Sequence, residues 1–125
     1  MQSLKNCKKI IKETKCDGIK LEGGSKIKDI IKHLVNNKIP VMGHIGITPQ
    51  SQRGRFRYKG KTEKEKKNLL IDSKILEEAG VFAIVLECIE KKLSKKITET
   101  IEIPTIGIGS SKFCDGQILV LDDLL

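Results

Sequence analysis

Four ionisable residues stand at or near the ends of short apolar runs, where a fold could gather them: Lys20, Glu22, His44 and Glu87. Glu87 follows the unbroken apolar run Val81-Phe-Ala-Ile-Val-Leu86. A carboxylate so placed is partly desolvated, which raises its pKa and makes it a better base near neutrality. Lys20 offers a fixed positive charge for an anionic substrate. Glu22 lies two residues on, so both side chains leave the same face of a strand. An oxygen ligand beside a cation suits Mg²⁺ together with a carboxylate-bearing ligand.

Each of these residues also has a purely structural reading. Glu87 fits equally well as a first-turn acid of a following helix, where the dipole favours it. Lys20 and Glu22 fit a surface pair on an edge strand, and His44 fits a satisfied structural histidine. Recurrence at three successive strand ends favours chemistry. In a parallel sheet the carboxyl ends of the strands converge on one face, and that face holds the active site.

The elements that must position them are short. Gly18–Glu22, Ile39–His44, Val81–Glu87 and Ile103–Gly109 read as strands buried on both faces, rich in β-branched residues and bounded by Gly, Pro or polar residues. Between them, Ser25–Asn37, Thr62–Ala79 and Glu90–Ile101 carry apolar stripes at helical spacing. Thr62 and Glu65 form a capping box, and Gly80 stops that helix. Met1–Lys15 is a lysine-rich helix pattern. Alternation of strand and helix predicts an α/β fold with a parallel sheet and flanking helices. The long connection 46–61, rich in Gly, Arg, Lys and Gln, is of the kind that usually carries function.

Composition narrows the classes. The chain has 125 residues, one ordinary domain, whereas a whole (β/α)₈ barrel needs about 250. The net charge of +8 raises the question of nucleic acid, but only three of the 24 basic residues are Arg, and most lysines sit in runs that read as solvated helix faces. Neither a nucleic-acid nor a membrane partner is expected. Four cysteines without a C-x-x-C pair, and two histidines, argue against structural zinc. The start has no apolar core of a signal peptide and no window spans a membrane, so a reducing cytoplasm is the expectation.

Several strings together resemble one family, ketopantoate hydroxymethyltransferase. They are Ile19-Lys-Leu-Glu-Gly-Gly24, Pro40-Val-Met-Gly-His-Ile-Gly-Ile-Thr-Pro-Gln-Ser51, Leu86-Glu-Cys88, Ile103-Pro-Thr-Ile-Gly-Ile-Gly109 and Cys114-Asp-Gly-Gln-Ile-Leu-Val120. The resemblance runs from Asp17 to Leu125. It implies a partial (β/α)₈ TIM barrel, its middle-to-late strands, in a single incomplete domain over residues 1–125. It implies transfer of a hydroxymethyl group from 5,10-methylenetetrahydrofolate to 3-methyl-2-oxobutanoate, giving 2-dehydropantoate on the route to pantothenate and coenzyme A. By motif, Lys20 and His44 would bind substrate, Glu22 would help hold Mg²⁺, and Glu87 would be the proton acceptor that forms a Mg-stabilised enolate. The family also implies a homo-oligomer, commonly a decamer.

Some positions depart from the family. The earlier strands, with two Asp metal ligands and a Ser, have no counterpart before Asp17, and the terminal helices are absent after Leu125. Asp122 stands where the family often has His, and Arg55-Phe-Arg-Tyr-Lys59 replaces a Gly-Gly-Tyr-Lys-Val stretch. The expectation is a fragment that is inactive alone, or active with a partner supplying the first strands. Three rivals remain: an RNA-binding module built on Gln52–Lys61, where basic residues interleave with Phe56 and Tyr58, another barrel lyase using a Mg²⁺ enolate, and a non-catalytic remnant.

Overall fold

The computed structural model describes residues 1–51 and 53–125. Its centre is a parallel sheet in the order β1-β2-β3-β4-β5, formed by β1 (Ile19–Glu22), β2 (Val41–Gly46), β3 (Ala83–Glu87), β4 (Thr105–Ile108) and β5 (Gly116–Gln117). The helices are α1 (Gln2–Thr14), α2 (Lys28–Asn36), α3 (Glu63–Glu78), α4 (Lys91–Thr100) and the short α5 (Leu121–Leu124). Each strand pairs in parallel with the next one in sequence. A doubly wound sheet reverses its order at a switch point, whereas a barrel adds strands one after another. The chain is therefore an arc of a (β/α) barrel.

Alternation divides the sheet into two faces. One carries Val41, Gly43, Ile45, Ile84 and Leu86, and packs with Ile31, Leu34, Leu76, Leu93 and Ile97 of α2, α3 and α4 into one apolar core. Burying each such side chain contributes roughly 1.5–3 kcal/mol. Gly43 lets α3 approach: a Cβ there would stand 3.1 Å from Leu76 Cδ1. The helix starts follow the expected chemistry. The Thr62 side chain accepts the Glu65 N–H, and Glu65 in turn accepts from Gly60 and Lys61 N–H.

The sequence reading needs correction at several points. The second strand does not stop at His44 but runs on through Ile45 to Gly46, because buried Ile45 still packs into the helix-covered core. The first strand is an edge and is only partly buried. Phe82, expected inside a buried strand, is 47% exposed and precedes β3. The helix expected from Ser25 opens as a 3₁₀ turn, Ser25–Ile27, whose Ser25 N–H donates to Asp72 on α3. The Gly-Gln pair of β5 has little strand propensity, and it forms by pairing with β4.

Candidate active site

The opposite face of the sheet carries polar groups. Register places Glu22 beside His44, and Gly46 beside Glu87, so the strand ends deliver Glu22, His44 and Glu87 to one side. Lys20, two residues before Glu22, leaves β1 on that side too and is exposed. His44 Nε2 lies 3.0 Å from Glu87 Oε2, and His44 Nδ1 lies 3.7 Å from Glu22 Oε1. The imidazole is thus held between two carboxylates. Its side chain is 1% exposed, against 8% for Glu22 and 15% for Glu87.

This arrangement bears on the readings left open by sequence. Glu87 is not a first-turn acid. The N-cap of α4 is Glu90, whose carboxylate accepts the Leu93 N–H at 3.0 Å. His44 is buried between two carboxylates, with its ring nitrogens toward Glu22 and Glu87. The 3.0 Å separation of His44 Nε2 and Glu87 Oε2 is a close polar contact. β1 is an edge strand, as the surface-pair reading required, yet Glu22 is turned inward and buried.

Desolvation governs the electrostatics. Burial pushes the Glu87 carboxyl above its ordinary range; Lys20 opposes this, while Glu22 and Asp123 reinforce it. Burial also pushes the His44 pKa down, helped by Lys20 and opposed by Glu22 and the Ile47 backbone. The lowered pKa favours a neutral His44 near pH 7, and desolvation makes Glu87 a stronger base. The Cys88 thiol is raised as well, first by burial and then by Glu87 and Asp123.

The corner after Glu87 is fixed by contacts that sequence inspection did not find. Cys88 has φ 49°, a left-handed conformation rare for a residue with a Cβ. Neighbouring segments satisfy its surroundings. Ser110 Oγ donates to Leu86 O at 2.6 Å and accepts the Ile89 N–H at 3.1 Å. Glu87 O accepts from Ile47, and Cys88 O accepts from Lys59. Such strain persists where the surroundings over-determine it, commonly at functional sites. Gly46, at φ 99°, passes so close that a Cβ there would lie 2.1 Å from Glu87 O. The strained φ at Cys88 has no signal in a single sequence; the Gly after His44 hints at the close approach.

The Thr48–Ser51 turn of the long connection reaches over β1. Its Gln50 N–H donates to Glu22 Oε2 at 3.0 Å, leaving Oε1 toward His44. As a hard oxygen donor with a single N–H partner, Glu22 fits one ligand position of Mg²⁺, which takes few protein ligands and completes its shell with substrate and water. Among the described residues no group of three His, Cys, Asp or Glu side chains is arranged to hold a metal. In the basic aromatic tract, Gln52 lies outside the described residues. Arg57 pairs with Glu65 at 3.0 Å, Lys59 is built into the backbone pairing, and Phe56 and Tyr58 are exposed.

Comparison with known proteins adds an independent line. The family model described as ketopantoate hydroxymethyltransferase matches residues 1–125, which takes in α1 as well. The chain is 61% identical over 124 residues to a 3-methyl-2-oxobutanoate hydroxymethyltransferase of Pelagibacter ubique (strain HTCC1062), covering 99% of this chain and 48% of that protein. A protein of the same name from Clostridium botulinum (strain Loch Maree / Type A3) is 59% identical over 122 residues, covering 96% and 44%. One from Syntrophomonas wolfei is 47% identical over 126 residues, covering 99% and 46%. The chain spans about half the length of the curated relatives it matches.

Proposed function

This chain belongs to the ketopantoate hydroxymethyltransferase family, and we propose that it carries the proton-transfer half of a 3-methyl-2-oxobutanoate hydroxymethyltransferase site, with Glu87 as the base. The observation that supports the reading is the Glu22–His44–Glu87 cluster at the carboxyl ends of β1–β3. It combines a desolvated carboxylate, a neutral imidazole and a second carboxylate on one face, with Lys20 beside them.

In this reading Lys20 binds the carboxylate of 3-methyl-2-oxobutanoate and turns the carbon next to its keto group toward Glu87. Glu87 takes the proton from that carbon. Its raised pKa makes it the stronger base, and the exclusion of water around it preserves that strength. His44, neutral and 3.0 Å from Glu87, offers the substrate an uncharged polar neighbour. The resulting carbon nucleophile forms a C–C bond to the methylene carbon of 5,10-methylenetetrahydrofolate. The two C–N bonds of that carbon are replaced by this bond and by a C–O bond to a water oxygen. The folate nitrogens take up the proton held by Glu87 and one from water, and tetrahydrofolate leaves with 2-dehydropantoate, a precursor of pantothenate and coenzyme A, as the product. Glu22 would hold Mg²⁺, which when bound supplies Lewis-acid polarisation of the keto oxygen.

A homo-oligomer and a cytoplasmic location belong to the same proposal. The exposed apolar side chains of Ile118, Leu119, Leu121 and Leu124 support a covered surface. Four free thiols suit a reducing compartment. No helix among the described residues is long and apolar enough to cross a membrane.

The reading is tested by assaying methylenetetrahydrofolate-dependent formation of 2-dehydropantoate with Lys20→Met beside the unaltered protein. The expected result is a KM for the oxoacid raised about tenfold or more, the loss of one charge-assisted contact. An unchanged KM would remove Lys20 from substrate binding, and no product with the unaltered sequence in the complete protein would remove the function.

A further inference from the structure

The lysine runs of α3 and α4 read in sequence as two separate solvated faces. In the fold they meet across a groove of about 670 Å³ on the helix layer. Leu70 and Leu93 form its apolar floor, and Lys61, Lys66, Lys67, Lys92 and Lys96 form its rim. Two carboxylates, Glu63 and Glu90, also line it, and both are engaged. Glu63 Oε1 is 2.7 Å from Lys66 Nζ, and Glu90 accepts the Leu93 N–H at 3.0 Å. Among the described residues Lys61, Lys67, Lys92 and Lys96 make no ion pair. Five ammonium groups against two carboxylates leave an excess of three positive charges around the groove. None of Lys20, Glu22, His44 and Glu87 lines it.

We propose that this groove is a second ligand site, for a soluble organic polyphosphate. Its phosphates would lie on the lysine rim and its apolar or aromatic body on Leu70 and Leu93. Like charges gathered around one groove in excess over its two carboxylates repel, and a polyanion bridging them removes that repulsion. Lysines bind phosphate as point charges, without the planar geometry that Arg demands. The groove is of a size that small-molecule sites occupy, and its mixture of apolar floor and charged rim distinguishes it from a merely solvated face. The N-terminal turns of α3 and α4 both border it, which adds to the positive potential. A nucleic acid would track the charge beyond the groove and leave the floor unused.

The test is calorimetric titration of the protein with ATP and with inorganic triphosphate at physiological ionic strength. Three proteins are compared: unaltered, Lys67→Glu/Lys96→Glu, and Lys5→Glu/Lys12→Glu, which makes the same charge change on α1. ATP is expected to bind with a micromolar Kd, and triphosphate at least about threefold more weakly because it lacks a body for the floor. The α3–α4 pair is expected to weaken ATP at least about tenfold, and the α1 pair less than about twofold. If the charge-reversed pair fails to fold by circular dichroism, Lys67→Gln/Lys96→Gln is used with the same expected direction. Equal losses in the two pairs, equal affinity for ATP and triphosphate, or displacement of ATP by random-sequence RNA with a steep salt dependence would each overturn the proposal.

Discussion

The two faces of the sheet put burial to opposite uses. On the helix-covered face, Val41, Ile45, Ile84 and Leu86 meet Ile31, Leu34, Leu76 and Ile97, and exclusion of water stabilises the fold. On the other face the same strands bury His44 and most of Glu22 and Glu87. There, exclusion of water costs stability, because it disfavours the charged forms of groups that water would solvate. That cost appears as a raised Glu87 and a lowered His44 pKa. The apolar face holds the strands rigidly enough for the polar face to keep its desolvated groups together.

Substitutions on the two faces should therefore differ in kind. Leu76→Ala empties a fully buried position against Gly43. It should destabilise by about 2–5 kcal/mol in urea unfolding, while any protein that remains folded keeps the acidity of its site. A smaller loss would mean that α3 can collapse onto β2. Gly46→Ala, at the border of the two faces, adds a Cβ against Glu87 O at a positive φ. A loss of about 1–3 kcal/mol is expected, together with a reduced kcat, because the β3 end must move. Unchanged kcat would show that the Glu87 position tolerates movement of its backbone.

The pH dependence sharpens the contrast. His44 has a lowered pKa in the fold, so its contribution is intact above the ordinary imidazole value and is lost as pH falls through the lowered one. Glu87 has a raised pKa, so its penalty is present above that value and disappears as pH falls toward the ordinary carboxylate range. The two slopes oppose each other on the acid side of neutrality. His44→Gln should remove the His44 slope, so that above the ordinary carboxylate range, where Glu63, Glu65 and Glu90 do not yet titrate, unfolding free energy rises as pH is lowered through the Glu87 window. A variant whose stability still falls there would place the buried proton site elsewhere. The smallest effect is expected of Glu87→Gln on stability at pH 7: within about 1 kcal/mol, and stabilising if anything, since it removes a desolvated charge.

The apolar face was far more legible in the sequence than the polar one. Runs such as Val81–Leu86, Phe82 excepted, and the stripe Ile27, Ile30, Ile31, Leu34 report burial directly, because hydrophobic periodicity is what burial selects. Thr62 and Glu65 likewise announced the start of α3. The polar residues were visible as types in suggestive places, and the fold brought Glu22, His44 and Glu87 together. Their geometry was not legible. His44 read as a strand end, although the strand continues to Gly46. The clamp of Ser110 on Leu86 and Ile89, and the hold of Gln50 on Glu22, join residues 21 to 28 positions apart. The lysine groove escaped for the same reason, since each run is unremarkable until α3 and α4 pack side by side.

The central claim is that Glu87 is the base. It is tested most directly by following exchange of the C3 proton of 3-methyl-2-oxobutanoate with deuterated solvent by NMR, without the folate, for a full-length protein carrying this sequence unaltered and for its Glu87→Gln variant. The account predicts exchange at a measurable rate in the first and a fall of about 10²–10⁴ in the second, with the fold intact by circular dichroism. Exchange that continued at the original rate in Glu87→Gln would contradict it.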